Sequence, residues 1–308
     1  MIVVCGEALI DVIHNDGSPQ RALPGGGPFN TARALARLGV PTGFLGRLSN
    51  DAFGVELEGL LRADGASLEY ATVGPEKTTI AVANVDSDGL AEYEFLVQGT
   101  SAPNLIRDMI PAEFGPEVNA LHLGTLGMIL EPMADTLVEL ADREHGKRLL
   151  MLDPNIRAGL MPDAEYRARL HHVMGKSTIV KASDTDVAWL YPGLDYKQAV
   201  DRILDSGIDV VVVTLGAEGA FGATYDMRLL VPAPQVHVVD TIGAGDAFGA
   251  ALLAWLHDHD RISPRLRLDE RELRAALDYA CLAAAITCTR AGADPPHKWE
   301  LKESPSPN

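Results

Sequence analysis

The chain predicts an α/β protein: a three-layer, doubly wound, mostly parallel sheet carrying a small β-sheet as a lid. Three observations support this. Along most of the 308 residues, short apolar runs that read as strands alternate with amphipathic helical stretches. Such alternation requires crossover connections and a sheet covered on both faces. One region, about 68–97, breaks the rhythm with strand patterns and no good helix. Two glycine-rich turns run straight into apolar helices, whose unpaired N–H groups attract anions.

In chain order, Ile2-Val3-Val4-Cys5 is the first strand. Residues 8–23 follow as strand, turn and strand, with the turn at Asn15-Asp16-Gly17. A helix over 29–38, a strand over 43–46 and a helix over 52–63 come next. Residues 78–86 and 90–97 read as strands joined by Asp86-Ser87-Asp88-Gly89. These two inserts, about 12–24 and 68–100, are expected to form the lid over the carboxyl ends of the parallel strands. Strands over 120–123, 148–152, 178–181 and 210–215 then alternate with helices over 132–144, 164–174 and 196–205. The final third adds helices over 246–257 and 269–289, both alanine-rich on the apolar side and so able to pack closely. Residues 1–300 read as one domain, with 301–308 as a flexible tail.

Composition narrows the function. A chain 47% hydrophobic and 22% charged suits a soluble domain with a large core. A net charge of -17 argues against nucleic acid as a partner. A local nest of N–H groups can still hold a nucleotide. No apolar run approaches the ~20 residues that would span a bilayer. The start lacks a basic leader region and reads as a strand. The three cysteines, Cys5, Cys281 and Cys288, sit in apolar patterns and read as reduced core thiols. A cytoplasmic location is expected.

Two nucleotide motifs are missing. No G-x-x-x-x-G-K-[ST] loop exists, and Gly243-Ala244-Gly245 fails as a dinucleotide fingerprint because Phe248 stands where the third glycine belongs. What stands there instead is Asp240-Thr241-Ile242-Gly243-Ala244-Gly245-Asp246 ahead of an apolar helix. A carboxylate repels phosphate, so Asp246 makes chemical sense as a base for an attacking hydroxyl beside amides that hold a phosphoryl group. Its other reading is an N-cap. Pro24-Gly25-Gly26-Gly27-Pro28-Phe29-Asn30 is the second turn. Its glycines permit close approach of a ligand, and Asn30 offers donors and an acceptor to a polyol. A plain loop–helix junction would look the same.

These two segments resemble the two signatures of the pfkB carbohydrate kinase family, with its ribokinase-like fold. Gly6-Glu7-Ala8-Leu9-Ile10-Asp11, Gly46 to Gly54 and Val211 to Ala220 resemble further family segments in the expected order. The resemblance implies that Asp246 is the general base and that Gly243, Ala244 and Gly245 form an anion hole. Asp11, Gly26, Gly27 and Asn30 would hold the sugar; Ser183, Thr214, Gly216 and Gly219 would line the ATP site, with residues 281–285 against adenine. Mg²⁺ would bridge the phosphates. K⁺ could sit beside the anion hole on oxygens of Asp240 and the Gly292 loop. Lys181-Ala182-Ser183-Asp184-Thr185-Asp186 departs from the family's N-x-x-E motif twice. Asp186 could organise the magnesium through water, or Ser183 and Asp186 could simply cap a helix.

Asp153-Pro154-Asn155-Ile156-Arg157 resembles the D-P-N-x-R segment of fructokinases and 2-keto-3-deoxygluconate kinases. Arg157 would brace the transferring phosphate or a substrate acid group, or else form a surface ion pair. Phe29 is expected to narrow the sugar pocket. The resemblance thus implies an ATP-dependent sugar kinase, nearest to fructokinases, with 2-keto-3-deoxygluconate kinase and ribokinase as alternatives. A non-catalytic sugar- or nucleotide-sensing protein is the reading from another class. Its partners would be a small-molecule sugar and ATP, and exposed lid edges could pair in a homodimer.

Overall fold

Runs such as Val210-Val211-Val212-Val213 can bury every side chain only in a strand covered on both faces. A computed structural model of the chain describes residues 1–15, 21–85 and 91–301. The tips of the two expected strand turns and residues 302–308 of the expected tail lie outside the described residues, whereas Leu301 is buried in the core.

The strands are β1 (Ile2–Cys5), β2 (Leu9–Asn15), β3 (Arg21–Gly25), β4 (Thr42–Leu45) and β5 (Arg47–Ser49). They continue as β6 (Thr72–Gly74), β7 (Ile80–Val85), β8 (Ala91–Leu96), β9 (Ala120–Gly124) and β10 (Leu149–Asp153). The last four are β11 (Ile179–Ser183), β12 (Val210–Thr214), β13 (Ala220–Ala223) and β14 (Arg228–Val231). The helices are α1 (Gly27–Arg37), α2 (Ala52–Asp64), α3 (Met133–Glu144) and α4 (Asp163–Met174). After them come α5 (Asp184–Leu190), α6 (Tyr196–Leu204), α7 (Ala244–Asp258) and α8 (Glu270–Cys288).

Eight strands make the main sheet in the order β14-β13-β12-β11-β10-β9-β1-β4, parallel from β4 to β12 and antiparallel at β13 and β14. Successive side chains feed two separate cores. Ile2, Val4, Met151, Ile179 and Val212 pack under α1, α7 and α8, while Val3, Leu121, Leu152, Val180 and Val211 pack under α3, α4 and α6. That alternation is the period-2 geometry of a strand realised on both faces. β1 has β4 on one side and β9 on the other, so the winding reverses there and opens a crevice at the carboxyl ends.

The small sheet has the order β3-β2-β7-β8, with β2 and β7 parallel at its centre. Part of the expected lid interval belongs elsewhere: β6 pairs with β5 instead. The expected strand at 78 begins at Ile80 because Thr78 is drawn to Asp51, whose carboxylate accepts from its N–H at 2.9 Å and its hydroxyl at 2.6 Å.

Two helix starts differ from the sequence reading in an informative way. α1 begins at Gly27 and α7 at Ala244, so both glycine turns are partly helical already. Gly243 occupies the N-cap position, which places Asp246 in the first turn rather than at a cap.

Phe29 also corrects an expectation. It is fully buried in the core shared by α1 and α7 and does not line the ligand cavity; Phe248 does. The Arg33 guanidinium lies 5.4 Å from its ring centroid. Phe29→Ala is therefore expected to destabilise the fold by about 3–5 kcal/mol. Urea unfolding should show the loss, while the relative kcat/KM among sugars stays unchanged.

Candidate active site

A cavity of about 700 Å³ occupies the crevice. Its walls include Asp246, Gly243, Ala244, Gly245, Asp11, Gly26, Gly27, Asn30, Arg157, Ser183, Asp186, Thr214, Gly216 and Gly219; of the other residues expected at the site, Phe29, Asp240, Leu282, Ala283 and Gly292 do not line it. Leu9, Asp11 and Phe95 of the small sheet form one wall, and Cys281, Ala284, Ala285 and Cys288 of α8 form the far end.

The turn before α7 is shaped by two constraints. Gly243 has φ +77°, and a Cβ there would lie 2.6 Å from the Cβ of Ala293. Only glycine accepts both the left-handed backbone and the crowding. Asp240 holds the turn from behind. One of its carboxylate oxygens accepts from the Ile242 N–H at 3.0 Å and the other from the Gly292 N–H at 2.8 Å. Asp240 thus fastens the turn to the Gly292 loop and does not face the cavity.

Asp246 is only 9% exposed, and its carboxylate accepts a 2.9 Å hydrogen bond from Asn30 Nδ2. This bond joins α1 to α7. Asn30 Oδ1 is buried and has no partner among the described residues. Burial pushes the Asp246 carboxyl up to about 6, and Asp153 adds to that, while the Asn30 bond, Lys181 and Arg157 act in the opposite direction. Such a group takes a proton far more readily than a surface aspartate, which suits a base. Asp11 is likewise pushed up to about 6 by burial, against the pull of Arg157.

Among the wall residues to which the sequence reading gave no role, Glu7, Thr125 and Lys181 stand out. Glu7, after β1, is buried; Thr125 Oγ1 donates to its Oε1 at 2.5 Å, and its Oε2 has no partner among the described residues. Burial pushes Glu7 up to about 7. Thr125 itself has φ +52°, a strained conformation for a β-branched residue and one that clusters at functional sites. Lys181, on β11, pairs with Asp153 at the end of β10, Nζ to Oδ2 at 2.7 Å. A lysine inside an apolar strand run was the one signal in the sequence that could have revealed this pair.

Arg157 forms no ion pair with a carboxylate among the described residues, so the surface-pair alternative does not hold. Its Nη1 instead donates to Asn155 O at 3.0 Å, Asn155 Oδ1 at 2.8 Å and Ile156 O at 3.2 Å. At Ser183 the capped-helix alternative is realised. Ser183 Oγ accepts from the Asp186 N–H at 3.1 Å, and Asp186 Oδ2 accepts from the Ser183 N–H at 2.9 Å. Asp186 Oδ1 also accepts from the Ile156 N–H at 2.8 Å, which anchors the Arg157 loop. The same box faces the cavity, so capping and ligand contact do not exclude each other.

Beyond Thr214, at the end of β12, Gly219 has φ +105° and a Cβ there would meet Val231 O at 2.0 Å. The small side chains of Cys281, Ala284, Ala285 and Cys288 on α8 line the same cavity, an apolar surface suited to a planar ring.

Fold and cavity together define a sugar phosphotransferase. The chain belongs to the pfkB family of carbohydrate kinases: the sequence profile of that family matches residues 1–300. A fructokinase of Rhizobium leguminosarum bv. trifolii is 39% identical over 285 residues, covering 90% of this chain and 87% of that protein. The crystal structure of fructokinase from Vibrio cholerae O395 with fructose, ADP and calcium ion superposes with a TM-score of 0.85. It is 26% identical and covers 98% of this chain and 97% of its own. Aminoimidazole riboside kinase from Salmonella enterica, complexed with aminoimidazole riboside and an ATP analog, also gives a TM-score of 0.85. It is 25% identical, with 98% of both chains covered.

Proposed function

We propose that this chain is an ATP-dependent fructokinase, transferring the γ-phosphoryl group to a primary hydroxyl of the sugar. The observation that carries this reading is the placement of Asp246. It shares one cavity with Asp11, Gly27 and Asn30 and with Thr214, Gly219 and the small side chains of α8, and its carboxylate touches Asn30 directly. A sugar held at the polar wall presents its hydroxyl to Asp246, which takes the proton as the oxygen attacks. The N–H groups of Gly243 and Gly245, at the positive end of α7, face the charge that develops on the phosphoryl oxygens, whereas the expected third donor, the Ala244 N–H, is already given to Thr241 O at 3.2 Å. Arg157, unengaged by any described carboxylate, adds a cation beside them. The attack forms the new O–P bond, the bridging O–P bond of ATP breaks, and ADP leaves with that electron pair.

Mg²⁺ suits Asp186 as a hydrated ion: both carboxylate oxygens already accept hydrogen bonds, and this leaves lone pairs for water rather than open direct sites. Bound there, the ion would neutralise phosphate charge. K⁺ beside the anion hole, a cytoplasmic location and pairing of two copies through the lid edges β3 and β8 complete the reading.

Coupled ADP release measured with ATP, Mg²⁺ and a panel of sugars tests it. Fructose is expected to give the highest kcat/KM. Preference by more than about tenfold for ribose, 2-keto-3-deoxygluconate or a riboside would replace the substrate, and sugar binding without turnover would favour the sensing protein.

A further inference from the structure

We propose that Lys181 is a further catalytic residue: its ammonium, held by Asp153 beneath the first turn of α7, donates to an oxygen of the phosphoryl group in transfer. This rests on the kinase reading above and extends it to a pair that reading does not use. β10 and β11 bring Asp153 and Lys181 onto the sheet face covered by α7, and Lys181 lines the cavity. A Cβ on Gly245 would lie 3.1 Å from Lys181 Nζ, so the ammonium sits directly under the glycine turn and glycine keeps the way between them open. An ammonium has three N–H donors. Among the described residues only Asp153 Oδ2 accepts one of them, at 2.7 Å.

Stability does not account for the pair. Its side chains are 5% and 3% exposed, and a buried ion pair is often replaced by neutral groups without loss. This one is also poorly satisfied. Asp153 Oδ1 has no partner, and His122, two strands from Lys181, has neither ring nitrogen partnered among the described residues. Burial holds His122 neutral, so it supplies no charge to Asp153. Lys181 meanwhile feels Asp246 and Asp186 as well as Asp153. Three carboxylates at the entry point of a triphosphate oppose its approach, and a fixed ammonium offsets them where charge builds up on the phosphoryl oxygens. Lys181 stays protonated throughout; the sugar proton still goes to Asp246.

The test compares wild-type protein with Lys181→Gln, Lys181→Arg and the neutral pair Lys181→Gln/Asp153→Asn, assayed with ATP, Mg²⁺ and the best sugar. Lys181→Gln leaves Asp153 uncompensated, so both its thermal midpoint and its kcat should fall. The neutral pair should recover the midpoint while kcat stays down by about 10²–10³-fold, with the sugar KM within about threefold. Lys181→Arg should restore part of the turnover. A neutral pair that regains turnover, or that cannot fold, assigns Lys181 and Asp153 to architecture and overturns the proposal. So does turnover that returns at high pH, because the effect would then run through the ionisation of Asp246, which also faces Asp153, Arg157, Glu7 and Asn30. A wild-type protein inert toward every sugar defeats the kinase reading itself, a result distinct from any of these.

Discussion

Asp246→Asn should lower kcat by about 10²–10⁴-fold while ATP binding, followed by calorimetry, changes little. The amide is nearly isosteric and can still pair with Asn30, so the structure around α7 should persist. What disappears is the capacity to accept a proton. The acid limb of the wild-type profile gives an independent view of the same group. A base must be ionised, and burial pushes Asp246 up to about 6. The ionised fraction therefore falls as pH drops through that value, and kcat/KM should fall about tenfold per pH unit below it. An aspartate near its ordinary value of about 3.9 would leave the rate flat across that range. Normal turnover in Asp246→Asn, or a flat profile down to pH 4.5, would remove the assigned base.

Gly243→Ala is expected to be nearly as damaging, for a geometric reason. Its φ of +77° costs an L-residue roughly 1–2 kcal/mol. The added methyl would also stand 2.6 Å from the Ala293 Cβ, and part of that contact is with backbone. The turn must shift, and a displacement near 1 Å at amides that face reacting atoms lowers kcat by about 10²-fold. Gly207→Ala is the control. Away from the cavity, it has φ +90° and nothing within 4 Å of the added carbon, so it should lose stability without a comparable loss of kcat. Equal kcat losses in the two variants would show that crowding at the turn is not what matters.

The parts of the fold that could be read in advance were those with long, uniform patterns. β1 and β12 are nearly continuous apolar runs, β10 is apolar up to its closing Asp153, β9 and β11 are interrupted within the apolar run only at His122 and Lys181, and α3 and α8 repeat their apolar positions over several turns. β5 and β6 are only three residues each, and β13 and β14, though as long as β1, carry Gly222 and Arg228 where β1 is uniformly apolar, so no clean run stands out. α5 has seven residues and was visible only through its cap. The same division holds at the site. Asn30, Asp246 and the glycines beside them sit in local motifs whose chemistry is self-explanatory. Glu7, Thr125 and Lys181 gain meaning only from neighbours that the sheet brings to them. Phe29 was misplaced for a related reason. Adjacent helical residues point about 100° apart, so Asn30 faces the cavity while Phe29 turns to the core.

The hydrogen bond from Asn30 to Asp246 has a practical consequence for redesign. On the proposed reading one amide would both meet the sugar and steady the base, so retuning specificity through Asn30 would sacrifice rate along with preference. Leu9 and Asp11 offer a safer handle. They belong to a separate sheet that lines the cavity, and on the proposed reading a library of replacements there would alter which sugar is welcomed without disturbing the machinery that phosphorylates it.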